Sequence, residues 1–192
     1  MIDEDAALLA SIAQGDQAAI RQMVSQKLPR ILALATRMLG NRADAEEVAQ
    51  ETFVRLWQHA PNWRTGEAKF DTWLHRVAMN LCYDKLRAKP NFVLDISDDE
   101  AMLEAQNQVD VQMNPERQVN QTQQSDLVVS AFVKLPPRQR EALILQYYQS
   151  LSNNEAASIM QISVDALESL LSRARRNLKT LLLQQGFEKE IG

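Results

Sequence analysis

The sequence predicts an all-α fold built as two small helical domains joined by a flexible acidic linker, and three observations lead to this prediction. The 192 residues are 45% hydrophobic, which is enough apolar surface for two modest cores. Only 5 glycines and 6 prolines interrupt the chain. Apolar residues recur at steps of three and four, the spacing of an amphipathic helix, rather than alternating as they do in half-buried strands.

The N-terminal domain, residues 1–92, is predicted to be a bundle of four helices. Gly15, Gly40 and the segment PNWRTGE interrupt the helical periodicity and therefore separate the helices. The predicted helices span residues 4–13, 16–38, 42–59 and 68–88.

The composition changes after residue 92. Residues 93–125 are rich in Asp, Gln and Asn and poor in large apolar side chains, which predicts a flexible linker. The C-terminal domain, residues 126–192, follows it, and Pro137 is well placed in the first turn of its second helix. Its helices are predicted at residues 126–134, 137–148, 152–159 and 163–184.

The negative charge of the chain is concentrated in its middle. The net charge is -4, and it divides into +1 for residues 1–90, -7 for residues 91–130 and +2 for residues 131–192. The acidity of the whole chain is therefore compatible with nucleic-acid binding by either domain.

Several classes of protein are disfavoured by the composition. No run approaches the roughly 18 to 20 apolar residues that span a bilayer, and the N-terminus is acidic, so we expect a cytoplasmic protein with no membrane insertion. Cys82, His59 and His75 are too few soft ligands for a zinc site. Neither histidine has a partner at a catalytic spacing and no phosphate-binding glycine loop is present, so we expect no enzyme activity and no cofactor.

Residues 151–179 have the pattern of a helix-turn-helix. Ser152 and Glu155 form a capping box for the first helix, and Ser163 can cap the second, with Asp165 in its first turn. The residues spaced to form a shared core are Ala156, Ile159, Ile162, Leu167 and Leu171. A basic cluster toward the end of the second helix suits DNA phosphates: Arg173, Arg175, Arg176 and Lys179. The pattern alone also fits an ordinary helical hairpin.

The helix containing DAEEVAQETFVRLWQ, residues 44–58, has two faces. Its apolar face carries Ala45, Ala49, Phe53, Leu56 and Trp57, and its polar face carries Asp44, Glu47, Glu51, Arg55 and Gln58. Three carboxylates against one arginine repel DNA and favour a basic protein surface, although a solvated helix face has the same pattern.

The helix containing FDTWLHRVAMNLCYDKLRAK, residues 70–89, carries an apolar and a polar stripe. The apolar stripe consists of Phe70, Leu74, Val77, Ala78 and Leu81. The polar stripe consists of Thr72, Arg76, Asn80, Tyr83 and Arg87, with Trp73 at its border and with Trp63, Arg64 and Lys69 in the preceding loop. Cations, amides and aromatic rings in line suit a nucleic-acid surface, and the pattern alone leaves a solvated face as the alternative.

Taken together and in this order, these motifs resemble the extracytoplasmic-function sigma factors of bacteria, over residues 8–90 and 126–183. The resemblance implies that the first domain binds the clamp helices of core RNA polymerase and melts the -10 promoter element. The polymerase-binding residues it implies are Asp44, Glu47, Gln50 and Glu51. The implied -10 residues are Trp63, Arg64, Lys69, Thr72, Trp73, Arg76 and Asn80.

The second domain is implied to dock on the polymerase flap and to read the -35 element. The implied -35 residues are Ser163, Asp165, Ala166, Glu168, Ser169, Arg173 and Arg176. Where many members carry a basic residue followed two positions later by arginine, this chain has Glu168 and Leu170, so we expect a changed -35 preference. It also has Ser150 where many members have glycine.

The resemblance further implies a regulon that responds to stress or another signal, and an anti-sigma factor as a partner. The acidic linker either enters the RNA exit path of the polymerase or serves as a soluble tether. Two other functions stay open from the residues alone: a regulator with a LuxR-type helix-turn-helix, and an all-α adaptor or inhibitor that binds only protein.

Overall fold

The computed structural model describes residues 4–64, 69–89 and 121–184, with side chains in the helix that starts at residue 121 described from residue 128 onward. Most of the predicted linker lies outside these residues. Within them every regular element is helical, which confirms the all-α prediction. The helices are α1 (Glu4–Ala13), α2 (Gln17–Leu39), α3 (Arg42–His59), α4 (Phe70–Arg87), α5 (Gln121–Lys134), α6 (Pro137–Leu143), α7 (Asn153–Met160) and α8 (Val164–Gln184).

Helix boundaries follow the predicted ones except in two places. Helix α5 starts at Gln121, five residues before the predicted start, because its first turn is polar and adds no apolar periodicity to the sequence. The helix predicted at 137–148 is α-helical only to Leu143 and continues as a π-helical segment, Ile144–Tyr148. The amide of Gln149 donates to the carbonyl of Ile144, five residues back, at 3.1 Å.

Helices α1 to α4 pack as the N-terminal domain around large apolar side chains, among them Met23, Leu34, Leu56 and Leu74. Lys27 ties three of these helices together, since its Nζ lies 2.8 Å from Asp5 of α1 and 2.7 Å from Asp71 of α4. Burial lowers the pKa of Lys27, but the hydrogen bonds to the two carboxylates more than offset it and the pKa is raised. Lys27 therefore stays charged inside the bundle.

The C-terminal domain contains the predicted helix-turn-helix, formed by α7 and α8. The capping box of Ser152 and Glu155 is present, and the chain turns at Gln161, which has a left-handed backbone with φ 57°. Of the predicted core residues, Ala156, Ile159, Leu167 and Leu171 are buried and Ile162 is half-buried. The predicted helix-turn-helix is thus confirmed, including the capping box of its first helix.

The two domains pack against each other through α2 and α4 on one side and α5, α7 and the π-helical segment on the other. Arg140 is buried at this boundary and donates to the carbonyls of Met38 in α2, Val133 and Leu135. Burial lowers the pKa of Arg140 to about 10, so the guanidinium remains charged at neutral pH. Gly40, at φ 67°, faces the same boundary, where an added Cβ would collide with Val133.

Gln149 and Tyr83 also lie at the domain boundary. The Gln149 amide donates to the Arg30 carbonyl at 3.1 Å and its Oε1 lies 3.1 Å from Nε2 of His75, while Arg30 donates to the Gln149 carbonyl at 2.7 Å. Tyr83, predicted on the exposed polar stripe, is 7% exposed. That prediction is wrong because the C-terminal domain covers this part of α4, and the Tyr83 hydroxyl donates to Glu141 at 2.6 Å.

Candidate nucleic-acid interface

An aromatic cluster forms where the segment after α3 meets the start of α4. The ring of Trp73 stacks on His59 with centroids 4.8 Å apart, and the edge of Trp63 packs against Trp73 at 5.8 Å and against Phe70 at 5.5 Å. Trp63 Nε1 is buried and has no hydrogen-bond partner among the described residues. The structure therefore brings the two predicted tryptophans together, with one face of Trp73 covered by His59.

Two of the three cations predicted on this surface contact the helix-turn-helix. Arg76 Nη2 donates to the carbonyl of Ser158 at 2.8 Å, and Lys69 Nζ lies 2.9 Å from Glu155 Oε1. The hydrogen bond from Lys69, together with two from Ser152, lowers the pKa of Glu155 to about 2.

Among the described residues, no contact of this kind holds Asn80, Arg64 or Thr72. Asn80 and Arg64 are exposed, and Thr72 is half-buried. Residues 65–68, between Arg64 and Lys69, lie outside the described part of the chain.

The predicted polymerase-binding residues share one side of α3, with Glu47 and Gln50 exposed and Asp44 and Glu51 half-exposed. Helix α4 contributes a cation to this surface, since Lys85 Nζ lies 2.5 Å from Glu47 and 4.0 Å from Asp44. The hydrogen bond to Glu47 raises the pKa of Lys85. The surface is consequently less acidic than the sequence of α3 alone indicated.

The -35 candidates extend from Ser163, directly before α8, to Arg176 in the second half of that helix. Ser163 caps the helix by accepting from the Ala166 amide at 3.1 Å, and Asp165, Ser169 and Arg176 are exposed. Glu168 is also exposed and accepts from Asn153 Nδ2 at 3.1 Å. Arg173 is half-buried.

A cavity of about 490 Å³ separates α4 from the helix-turn-helix. Arg76 and Asn80 line one side, and Ala166 and Arg173 line the other. At its base Glu141 is held by Tyr83 and by Arg138, whose Nη1 is 3.5 Å away. Burial raises the pKa of Glu141 although both contacts oppose it, and burial likewise raises the pKa of Tyr83.

Both domains match known protein families. Residues 23–90 match Sigma-70 region 2, and residues 125–178 match Sigma-70, region 4. The ECF RNA polymerase sigma factor SigW of Bacillus subtilis is 32% identical over 177 residues, which are 91% of this chain and 94% of that protein. The chain belongs to the extracytoplasmic-function (ECF) sigma factors. Both sigma regions occur in one chain, which does not favour the LuxR-type regulator.

Other relatives agree in sequence and in fold. The sigma factor CnrH of Cupriavidus metallidurans is 32% identical over 183 residues, 94% of this ECF sigma factor and 95% of CnrH. A solved structure of CnrH in complex with the cytosolic domain of CnrY matches with a TM-score of 0.68 at 25% identity, covering 93% of this chain and 96% of that one. The sigma factor RpoE of Bartonella quintana, solved with the anti-sigma factor NepR, has a TM-score of 0.61 at 22% identity over 84% and 95% of the two chains and shows the same fold.

Two further properties concern the described residues of this ECF sigma factor. No helix among them is long and apolar enough to cross a bilayer. Cys82 is fully buried in the N-terminal core, and burial raises the pKa of its thiol.

The sequence did not point to the residues that join the two domains. Arg140 and Glu141 are polar and lie in α6, where periodicity assigns polar residues to the surface, and the polar Gln149 directly follows the π-helical segment. A signal for Arg140 and Glu141 was the run RQRE, which directly follows two prolines. Its four polar residues make up most of a seven-residue helix in which six residues are buried.

Proposed function

We propose that this ECF sigma factor directs transcription initiation in the cytoplasm by bringing core RNA polymerase to promoters with a particular pair of elements. The acidic surface of α3 binds the polymerase clamp helices, α4 with its preceding loop opens the -10 element, α8 reads the -35 element, and the C-terminal domain docks on the flap. The observation that supports the proposal is that both sigma regions occur in one chain.

Promoter opening needs no covalent chemistry in this proposal. An unpaired base gains stacking on an aromatic ring and hydrogen bonds to its edge, and neither is available while the base is paired in the duplex. Trp63 and Trp73 supply the rings, and the exposed amide of Asn80, two turns along α4 from Trp73, supplies donor and acceptor groups. Because these contacts form only with the unpaired base, they stabilise the open promoter relative to the duplex and so favour melting.

The domains must separate before α4 can act. Arg76 and Lys69 already contact α7, so promoter capture replaces the Ser158 carbonyl and the Glu155 carboxylate with DNA phosphates. We include an anti-sigma factor among the partners because the solved relatives are complexes of this kind. Such a partner would hold the compact arrangement in which α4 is covered.

Run-off transcription with core polymerase on a promoter library tests the proposal. Asn80→Ala should reduce the run-off transcript from duplex promoters by about tenfold, the effect of losing one base contact. On a template that is already open at the -10 element, the amount of transcript should return to that of the parent. Gln22→Ala, which changes an exposed amide on α2, is the matched control and should match the parent on both templates.

A second pair of substitutions separates opening from polymerase binding. Asp44→Asn combined with Glu47→Gln should weaken run-off on duplex and pre-opened templates alike, because the defect precedes DNA binding. A parent chain that gives no promoter-specific transcript with core polymerase would contradict the proposal and leave the protein-only adaptor as the better explanation.

A further inference from the structure

A chain of hydrogen bonds runs across the exposed face of the helix-turn-helix and ends on Glu168. Arg175 Nη2 donates to Gln146 Oε1 at 3.5 Å, Gln146 Nε2 donates to Asn153 Oδ1 at 2.7 Å, and Asn153 Nδ2 donates to Glu168 Oε1 at 3.1 Å. The guanidinium of Arg175 also lies 5.8 Å from the ring of the exposed Tyr147. The chain joins the π-helical segment, α7 and α8.

The direction of this chain is fixed by the groups at its two ends. A guanidinium can only donate and an ionised carboxylate can only accept. Gln146 must therefore present its oxygen to Arg175 and its nitrogen to Asn153, which in turn leaves the Asn153 nitrogen for Glu168. Because each bond polarises the next, the amide of Asn153 is held in one orientation.

Glu168 is placed where this orientation affects DNA reading. It is the fifth residue of α8, in the N-terminal half of the helix that reaches base edges in a helix-turn-helix. With Oε1 bound to Asn153, Oε2 is left to accept from a base. Cytosine N4 and adenine N6 are the donors in the major groove, whereas guanine and the oxygen of thymine offer none at their edges there.

We propose that Asn153 is a specificity-determining positioning residue for -35 recognition, acting by holding the Glu168 carboxylate toward a cytosine or adenine amino group. This inference rests on the proposed function, and it adds a residue outside the recognition helix. A glutamate without that contact samples several rotamers and loses part of its preference when it must be ordered against a base.

Selection of -35 sequences tests this with reconstituted holoenzyme, full-length chain and a fixed -10 element. Asn153→Ala should reduce the preference for cytosine or adenine at one base pair by about three- to tenfold, somewhat less than loss of the direct contact itself. Asn153→Asp should reduce it at least as much, although an aspartate in the first turn of α7 favours the helix. Asn154→Ala, an exposed neighbour in the same turn, is the control and should select the parent's sequences.

A double-substitution experiment separates positioning from a merely structural effect. In a Glu168→Ala background, Asn153→Ala should have no further effect at that base pair, because there is no carboxylate to orient. Sequences selected by Asn153→Asp that equal the parent's, or an Asn153 effect that persists without Glu168, would overturn the inference. A parent holoenzyme that enriches no -35 sequence would instead contradict the proposed function.

Discussion

Helices α4 and α8 both carry side chains that we propose to contact promoter DNA, but the two surfaces are occupied to different degrees. On α4, Arg76 is bound to a carbonyl of α7 and Tyr83 is buried against Glu141. On α8, Asp165, Ser169 and Arg176 are exposed. The compact arrangement thus covers part of the surface that we propose opens DNA, and it leaves much of the surface that we propose reads DNA accessible. We therefore expect -35 binding to tolerate domain contact and -10 opening to require its loss.

Among the substitutions that should loosen the domain boundary covering α4, Arg140→Met should have the largest effect on stability. Methionine keeps the length of the side chain but cannot donate to the carbonyls of Met38, Val133 and Leu135, which stay buried. Buried carbonyls left without donors should cost about 3 kcal/mol of unfolding free energy. The midpoint of thermal unfolding should then fall by about 6 to 12 °C.

The matched control is Arg21→Met, on the exposed side of α2, which should unfold close to the parent temperature. Equal midpoints for the two methionine variants would show that Arg140 does not hold the boundary.

Tyr83→Phe should open the α4 surface with a smaller loss of stability. The substitution removes the hydrogen bond to Glu141 and leaves that buried carboxylate with Arg138 as its partner within the described part of the chain, which should cost about 1 to 2 kcal/mol. Because the contact crosses the domain boundary, spin labels at positions 54 and 183, both exposed, should report a broader distance distribution. Tyr147→Phe, on an exposed ring, should leave the distribution unchanged; an equal broadening there would contradict the assignment.

The capping box and Tyr83 illustrate which features of the fold could be predicted from the sequence and which could not. The all-α fold, the bundle and the helix-turn-helix were predictable because periodicity and capping act within a few residues, as in the capping box of Ser152 and Glu155. Tyr83 was misplaced because a helical wheel assigns a face but not the element that packs on it. Glu141 lies 58 residues away in the other domain.

The binding-site residues divide in the same way. The sequence grouped Trp63 with Trp73, and the structure brings them into contact, but periodicity could not show that Arg76 and Lys69 contact α7. Asn153 was not singled out because its role depends on Gln146 and Glu168, which come together only when three segments fold. The contacts of all these binding-site residues with DNA and polymerase stay predictions.

Ser150→Gly should stabilise the C-terminal side of the boundary. Ser150 has φ 53°, a left-handed backbone that costs a residue with a Cβ about 1 to 2 kcal/mol, and it directly follows Gln149. Glycine adopts this conformation freely but loses more backbone entropy on folding, so the net gain should be about 0.5 to 1 kcal/mol. Thermal unfolding should show an increase for Ser150→Gly and a decrease for Ser172→Gly, at an exposed position inside α8. A decrease for both would contradict the role given to φ.

The smallest effect should be the pH dependence of the contact between Lys69 and Glu155. The pKa of Glu155 is about 2, below its ordinary value of 4.5, so the stabilisation is complete above pH 4.5 and is lost as the pH falls toward 2. Lys69→Met removes the largest cause of that depression and should lower the unfolding midpoint by only about one degree at pH 6, because the pair is largely exposed. The difference from the parent should shrink at pH 3.

Lys179→Met, at an exposed position on α8, is the control and should show no such convergence. If the difference in unfolding midpoint between Lys69→Met and the parent is the same at both pH values, the ion pair of Lys69 and Glu155 does not stabilise the contact between the domains. The covering of α4 would then depend on the buried contacts of Arg140 and Tyr83, which acid reaches only by unfolding the boundary. Promoter opening would in that case be insensitive to substitutions at Lys69 except through its proposed contact with DNA.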